Sequence, residues 1–419
     1  MTDESQRNKG VHVKAEGDKQ LTVYGINDAD ASTDAFLALP CHRHPITEYK
    51  YFVFSTSVEG TSIPFNSRFL IVPCEDDTSV TVIPTRSIEI PADITGGIPR
   101  VIDPNNPNPS VNSGSFMLNR LQTLQFDSTD DLTGTIIESD KPMSVFVGHE
   151  CGQVPAGTTA CDHLVEQVPP HATWGTRFFT VPLDVRESGE RYRVGTVTDD
   201  NEVTVTCTTE GQMPRIVVQQ TIQAGRDGPL NQFVEFDTVM DDEDGVNLDY
   251  RRDFCCIETT KPAIVMMYSK GHSVDEITIP DATGTQGDPF MLLVPPVAQY
   301  LNNYTITTAK SVRTGFIGHI SYSLPIQFFD NTPIDQAAFM INGTTFTPDS
   351  GYRPIFCANG EICGYGAYSE IPKGDHLVNY NMPGTAVNVF IYGFLREISF
   401  AYPAGFEMQA IGGKQLLCS

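Results

Sequence analysis

Cys151 and Cys161, together with His149 and His163 just outside them, are residue types that could bind a metal ion. Two thiolates and two imidazoles would suit tetrahedral zinc, but the chain lacks the short-spaced Cys-X-X-Cys motifs of zinc sites. A disulfide that closes a loop of about ten residues, and stabilises the fold by about 2–3 kcal/mol, is therefore the favoured interpretation. His149 ends an expected strand and is not predicted to be a catalytic base.

The chain has ten cysteines, and further disulfides are expected among them. Cys357 and Cys363 bracket a second glycine-containing loop, and Cys41 is expected to bond to Cys74. Disulfides of this kind predict an oxidising, extracellular compartment.

Cys255 and Cys256 are adjacent in the sequence. Neighbouring cysteines rarely bond to each other, because the geometry of a disulfide is restrictive, so two different partners are expected. Cys207 is the natural partner for one of them, assigned here to Cys255, and Cys418 is a candidate for the other.

Asp28, Asp30 and Ser32 have the oxygen spacing of a calcium-binding loop. Thr33 stands where such a loop carries its sharp-turn glycine. An acidic surface loop is therefore the favoured interpretation, and calcium is the alternative. No other cofactor is expected.

His42, His44 and Glu48 form a His-X-His pattern with a glutamate four residues further on. Alternate residues of a strand face the same side, as shared metal coordination requires. The pattern is similar to the first metal motif of the cupins, so a metal-dependent cupin-like enzyme is an alternative hypothesis. The flanking glycines and a second histidine motif are absent, and a solvated loop is favoured.

The strongly acidic composition limits the classes of partner. The formal net charge is −25, from 52 acidic and 27 basic residues, so phosphate backbones are repelled and nucleic acid is not an expected partner. Acidic membrane surfaces are disfavoured for the same reason. No apolar run approaches the roughly 20 residues needed to span a bilayer, so membrane insertion is not expected.

Two sequons agree with secretion. Asn303 and Asn342 each begin an Asn-X-Thr sequence and are predicted glycosylation sites. The N-terminus, MTDESQRNKG, lacks the apolar core of a signal peptide. We expect that a leader has been removed.

A repeated phrase, Lys-Pro followed by an apolar strand, organises the chain. It occurs at 132–150, again at 257–272 and, without the lysine, at 382–393, with a period of about 120 residues. Within 132–150, two apolar runs on either side of a polar turn predict a β-hairpin. The segment 69–83, with its acidic turn, predicts another.

The composition predicts a turn-rich all-β protein, because the chain has 29 prolines and 34 glycines and only 19% charged residues. About eight short strands per repeat predict three tandem jelly-roll-like β-sandwiches, with a closed β-propeller of about six blades as the alternative. The expected divisions are a flexible arm at 1–18, β units at 19–150, 151–272 and 273–412, and at 413–419 the tail of a longer protein.

Several phrases resemble the N-terminal domain of the IgGFc-binding protein family. They are FLALP (36–40), DLTGTIIESDKPMSVFVGHECGQVP (131–155), ACDHLVEQVPP (160–170) and TWGTRFFTVPL (173–183). The resemblance extends from about residue 21 to 412 and is faint in the third repeat. It implies a secreted, cysteine-linked extracellular domain, of a kind often placed before von Willebrand D modules.

The resemblance also implies a function in binding. In vertebrate members of the family this region is similar to the part that binds the Fc portion of immunoglobulin G, but no residue here can be matched to that binding. The chain has no Gly-X-Ser-X-Gly motif, phosphate loop or dinucleotide fingerprint. We therefore predict a non-catalytic adhesion or recognition domain, of a mucus or matrix type of protein, that binds an extracellular protein or glycan through its loops. A cupin-like enzyme and a structural spacer without a ligand are the alternatives.

Overall fold

The computed structural model describes most of the 419 residues. The described residues are 8–17, 20–29, 32–41, 48–60, 64–90, 100–106, 112–184, 186, 188–209, 211–223, 233–238, 253–274, 287–308, 317–325, 338–382, 385–395 and 398–410. Within these ranges the chain is almost entirely β-strands and loops, with two single-turn 3₁₀ helices, His171–Thr173 and Val297–Gln299. The predicted all-β class is confirmed.

The described strands are numbered β1 to β28 in chain order. The N-terminal hairpin consists of β1 Tyr24–Ala29 and β2 Ser32–Leu37. We group the remaining strands into three units by their pairing, so β12 and β19 each join the unit before the one that the predicted divisions would give them. The first unit contains β3 Tyr49–Phe52, β4 Ser67–Pro73, β5 Thr78–Ile83, β6 Ile88–Ile90, β7 Arg100–Ile102, β8 Gly114–Leu118, β9 Leu124–Ser128, β10 Ile136–Ser139, β11 Met143–Gly152 and β12 Asp162–Val168. The second contains β13 Gly175–Thr180, β14 Arg191–Gly195, β15 Asn201–Thr208, β16 Arg215–Ile222, β17 Phe233–Asp237, β18 Phe254–Tyr268 and β19 Met291–Val294. The third contains β20 Asn303–Thr307, β21 Ile317–Pro325, β22 Phe339–Ile341, β23 Thr344–Thr345, β24 Arg353–Phe356, β25 Ile362–Ile371, β26 Asp375–Tyr380, β27 Asn388–Leu395 and β28 Ile398–Pro403.

The first unit has two antiparallel four-stranded sheets around one core. Their strand orders are β3-β10-β5-β8 and β12-β11-β4-β9. Alternate residues of a strand point to opposite faces, and in β4 the buried positions include Phe69 and Ile71. These two side chains share one hydrophobic core with Val80 and Val82 of β5, which belongs to the other sheet. The arrangement is that of a β-sandwich.

The second unit repeats the strand pairings of the first, but the single strand β18 takes the place of the two strands β10 and β11. The first half of β18 pairs with β13 and β15, as β10 pairs with β3 and β5. Its second half pairs with β14 and β19, as β11 pairs with β4 and β12. β18 therefore belongs to two sheets, one that it forms with β13, β15 and β16 and one that it forms with β14, β17 and β19.

The prediction of two hairpins from the sequence was wrong. β10 and β11 lie in opposite sheets and do not pair with each other, and the same is true of β4 and β5. The polar turns carry the chain from one sheet to the other, and in the second unit β18 continues through Lys261 and Pro262 without a break. Alternation of apolar residues identifies a strand but not its partner.

The repeated lysine closes the acidic turn between the sheets. Lys141 Nζ donates to the carbonyl of Asp77 at 2.8 Å, and Lys261 Nζ donates to the carbonyl of Asp199 at 2.5 Å. Asp77 and Asp200 both have positive φ, 51° and 52°, a conformation that aspartate tolerates better than most residues. The lysine of the first two copies of the phrase is therefore explained by a hydrogen bond in the fold.

The third unit has sheets of order β20-β26-β22-β23 and β24-β25-β21-β27-β28. Ala35 of the N-terminal hairpin belongs to its hydrophobic core, and Tyr24 Oη donates to the carbonyl of Ala404 at 2.7 Å. β2 packs against both β12 and β28, and β19 packs against the same two strands. The hairpin therefore joins the first unit to the third.

Residues 8–17 lie beside the first unit, where Gly10 N donates to the carbonyl of Leu121 at 3.0 Å. Among the described residues, no helix has both the length and the apolar composition needed to cross a membrane.

Candidate functional site in two disulfide-closed loops

The described residues contain four disulfides. They join Cys41 to Cys74, Cys151 to Cys161, Cys207 to Cys255 and Cys357 to Cys363. The second and the fourth close short loops, with sequence separations of 10 and 6. We call these the 151–161 loop and the 357–363 loop. Cys418, the candidate partner for Cys256, lies outside the described residues.

The 151–161 loop leads into a polar contact between β12 and the N-terminal hairpin, which we call the hairpin seam. Ser32 Oγ donates to Asp162 Oδ1 at 2.5 Å, and Thr33 N donates to the same oxygen at 3.2 Å. Asn27 Nδ2 lies 2.9 Å from His163 Nε2. Two sequence motifs that are about 130 residues apart therefore meet here.

Two further carboxylates extend the hairpin seam to the second unit. Asp34 accepts hydrogen bonds from Val165 N at 2.9 Å and from Met291 N at 3.3 Å. Glu166 accepts one from Leu293 N at 3.0 Å. Because these bonds cross between the hairpin, β12 and β19, the carboxylates hold three parts of the chain together.

Burial determines the charge of these groups. It raises the pKa of Asp162 to about 8 and that of Glu166 to about 8, and it raises the pKa of Asp34 well above its ordinary value. It lowers the pKa of His149 to about 4 and also lowers the pKa of His163. Both imidazoles are therefore neutral at physiological pH.

The hairpin seam does not have the geometry of a nucleophilic site. The Ser32 hydroxyl donates directly to the Asp162 carboxylate, whereas an activated serine donates to an imidazole that a carboxylate orients. The nearby His163 is instead bonded to an asparagine amide. The arrangement can hold chain segments in register, but it lacks the hydrogen bond that would activate the hydroxyl.

The 151–161 loop is also hydrogen-bonded internally. Gln153 Nε2 donates to the carbonyl of Thr158 at 2.6 Å, and Gln153 Oε1 accepts from Gly157 N and from Glu59 N, both at 2.9 Å. Cys151 N donates to His149 Nδ1 at 3.1 Å. One buried glutamine thus fixes the loop conformation from inside.

The 357–363 loop is different, because residues 358–362 between its cysteines are all exposed. Ile362 is 39% exposed. Ala358 N donates to Glu258 Oε2 of the second unit at 2.8 Å, and Glu361 N donates to Asn359 Oδ1 at 3.0 Å. A short, anchored turn therefore presents an apolar side chain to solvent.

Cys256 lies beneath this loop. It is fully buried, and its Sγ is 3.4 Å from Cys357 Sγ. Cys256, Cys357 and Cys363 are the only group of three or more metal-binding residue types that the described residues bring within 4.8 Å. Sequence reasoning did not place Cys256 near this loop, since nothing in the spacing links residue 256 to residue 357.

The predicted calcium residues lie in the hairpin. Asp28 and Ser32 are on its two strands, and Asp28 Oδ1 accepts from Thr33 Oγ1 at 3.0 Å. Asp30 lies outside the described residues. The calcium hypothesis stays a prediction.

Of the three residues in the predicted cupin-like motif, the structure describes only Glu48. His42 and His44 lie outside the described residues, and Glu48 Oε2 is 3.6 Å from Lys50 Nζ in a surface ion pair. The enzyme alternative therefore stays a hypothesis.

Both sequon asparagines are exposed and hydrogen-bonded. Asn303 Oδ1 accepts a short hydrogen bond from Asn379. Asn342 Oδ1 accepts from Leu377 N at 2.9 Å, and its Nδ2 lies 3.1 Å from His376 Nδ1. Glycosylation at Asn303 and Asn342 stays a prediction.

Comparison with known proteins identifies relatives. The family model for IgGFc binding protein matches residues 34–393. A human protein named IgGFc-binding protein is 26% identical over 183 residues, which are 43% of this chain and 3% of the human protein. A solved viral chemokine binding protein, R17 from rodent gammaherpesvirus Peru, aligns over 94% of this chain and 99% of its own, with 7% identity. Its TM-score of 0.18 is too low to indicate a common fold.

Proposed function

Because this chain belongs to the IgGFc-binding protein family, we propose that it is a non-catalytic recognition domain of an extracellular protein. The observation that carries the proposal is the family match over residues 34–393, which includes strands of all three units. The four disulfides within the described ranges support an oxidising, extracellular location.

The geometry of the two loops supports binding through loops. The hairpin seam and the 151–161 loop each have polar groups that form hydrogen bonds within the protein, such as Ser32 with Asp162 and Gln153 with Thr158. The 357–363 loop instead has five consecutive exposed residues, and its ends are fixed by a disulfide. A loop already held in one conformation loses little entropy when it binds, so it contributes more net affinity per contact. We therefore place the 357–363 loop in the binding surface.

The proposed partner is a protein, and the Fc portion of immunoglobulin G is the first one to test. The human relative is named for binding IgG Fc. The chain described here aligns with only 3% of that human protein. The net charge of −25 favours a partner with a basic contact face. A glycan partner is the alternative.

The experiment is a direct binding measurement with the purified chain immobilised. We expect human IgG Fc to bind saturably, with affinity that falls as salt is raised, because surface charges are screened. The Fab fragment of the same antibody is the matched control and is expected to stay unbound. A protein and glycan array with the same sample identifies other partners. Absence of saturable binding on both assays contradicts a recognition function and favours the structural spacer.

A further inference from the structure

The adjacent cysteines of β18 lie in two different cores. Successive residues of a strand point to opposite faces, and Cys255 points into the core of the second unit, where it bonds to Cys207 of β15. Cys256 points the other way, into a core shared with Ile355 of the third unit and Phe179 of β13. The sequence pair therefore serves both the inside of one unit and its contact with the next.

Cys256 is a thiol that touches a disulfide. Its Sγ lies 3.4 Å from Cys357 Sγ, and the three sulfurs of Cys256, Cys357 and Cys363 lie within 4.8 Å of one another. Cys256 forms no disulfide with any other cysteine in the part of the chain that the structure describes. A thiolate in contact with a disulfide sulfur has the reactants of thiol–disulfide exchange close together. Because all three sulfurs lie within 4.8 Å of one another, they are not collinear, and the in-line approach of Cys256 Sγ to the bond requires a side-chain rotation.

We propose that Cys256, Cys357 and Cys363 form a thiol–disulfide exchange cluster that can move a covalent bond from within the third unit to the contact between the second and third units. The Cys256 thiolate attacks Cys357 Sγ, a Cys256–Cys357 bond forms, and the Cys357–Cys363 bond breaks. Cys363 leaves as a thiolate and takes up a proton, which balances the proton lost by Cys256. No oxidant or reductant is consumed.

The surroundings of Cys256 set the rate of this step. Burial is the main reason that the pKa of the Cys256 thiol is raised, the neighbouring Glu258 carboxylate raises it further, and the Arg177 guanidinium lowers it. Tyr300 also faces the cluster, and its phenol, whose pKa is likewise raised by burial, is neutral at physiological pH. Because little of the Cys256 thiol is deprotonated at neutral pH, the exchange is slow there and accelerates as pH rises.

The exchange has a structural consequence at each end. The new bond ties β18 of the second unit to the segment that follows β24, so the contact between these units becomes covalent. The 357–363 loop loses its own closure, and its exposed residues gain conformational freedom. The exchange does not depend on what the domain binds.

The test is a map of disulfides in the full chain, without reductant, after incubation at pH 7 and at pH 9. Samples are quenched with acid, alkylated, digested and analysed by mass spectrometry. We expect a peptide pair joined through Cys256 and Cys357, with Cys363 alkylated, and formed about tenfold faster per pH unit because the thiolate fraction rises in that proportion. If Cys256 is alkylated and Cys357–Cys363 stays intact at both pH values, or if Cys256 is joined to Cys418, the proposal is overturned.

Two variants separate exchange from a fixed pairing. In Cys363→Ser, Cys357 loses its partner within the loop, and we expect air oxidation to join it to Cys256. In Cys256→Ser, the matched control, the Cys357–Cys363 bond is expected to persist at pH 9. If the Cys363→Ser chain folds, as judged by an unchanged circular dichroism spectrum, and keeps Cys256 and Cys357 as separate thiols after oxidation, the sulfurs do not meet and the proposal fails.

Discussion

The 151–161 loop and the 357–363 loop are closed by the same kind of bond but differ in what surrounds them. The first is fixed by Gln153 and continues into the hairpin seam, where buried carboxylates bond to backbone amides of other strands. The second is an exposed turn over an apolar core that contains the Cys256 thiol, which has no disulfide partner among the described residues. A disulfide between two cysteines that are close in the sequence therefore shows that a loop is closed. It does not show whether the loop supports the fold or presents a binding surface.

The difference between the two loops can be measured as effects on stability and on binding. Changes at the hairpin seam are expected to alter stability and leave binding unchanged, while changes in the 357–363 loop are expected to do the opposite. Four predictions test the comparison.

The largest effect is expected for Asp34→Ala. The substitution leaves the buried amides of Val165 and Met291 without their acceptor, and each unsatisfied buried donor costs about 1–3 kcal/mol. We expect the free energy of unfolding to fall by about 3 kcal/mol, measured by urea denaturation. Asp130→Ala, at an exposed position, is the matched control with a change within about 0.5 kcal/mol. Equal denaturation midpoints for the two variants would mean that Asp34 does not hold the seam.

The two disulfides are compared by replacing both cysteines of each pair with alanine. Loss of Cys151–Cys161 is expected to cost about 2–3 kcal/mol, because this bond constrains the longer loop in the unfolded chain. Loss of Cys357–Cys363, with its separation of 6 rather than 10, is expected to cost less. The order is expected to reverse in partner binding. A larger loss of stability from the 357–363 pair would contradict the roles given to the loops.

The hairpin seam is expected to make stability depend on pH. Asp162 and Glu166 have pKa values of about 8 in the folded chain, above the ordinary values of about 4 in the unfolded chain. The folded chain therefore binds more protons between these values, and the contribution to stability, which is full below about pH 4, is lost as pH rises through about 8. We expect a lower free energy of unfolding and a lower melting temperature at pH 8 than at pH 6.

Asp162→Asn is the control for the pH dependence. The amide cannot titrate, so the loss of stability between pH 6 and pH 8 is expected to become smaller. An unchanged pH profile would assign the dependence to other groups.

The smallest effect on stability is expected for Ile362→Asp in the exposed loop. The side chain is 39% exposed and begins β25, where aspartate is less favourable than isoleucine, so the free energy of unfolding is expected to fall by about 1 kcal/mol. Binding to the partner found in the direct assay is expected to weaken by about tenfold, because an apolar contact is replaced by a charge. Leu377→Asp, at a position 47% exposed on β26, is the matched control. Equal binding by the two variants would remove the 357–363 loop from the binding surface.

Local features of the sequence predicted the all-β class and the repeated strands. Alternating apolar residues, such as those of β4, identify strands on their own. They did not identify sheet partners, and the predicted hairpins were wrong because a short polar turn can either reverse a chain within a sheet or carry it to the opposite sheet.

The hairpin seam was beyond prediction for a different reason. Asp162 and Glu166 are part of the string ACDHLVEQVPP, which carries the family resemblance, but their partners in the hairpin and in β19 are more than 100 residues away. The one available signal was an acid within an apolar strand, as at Glu166. A buried carboxyl group in such a position needs hydrogen-bond partners, and only the fold shows which residues supply them.

The unbroken course of β18 through both sheets has a mechanical consequence. Hydrogen bonds between antiparallel strands lie perpendicular to the strand direction, and β18 pairs with β13, β15, β14 and β19 along its length. A tensile load applied along this strand would have to shear the bonds to all four neighbours together. We expect the second unit to yield at a higher pulling force than the first, in which the same load is divided between β10 and β11.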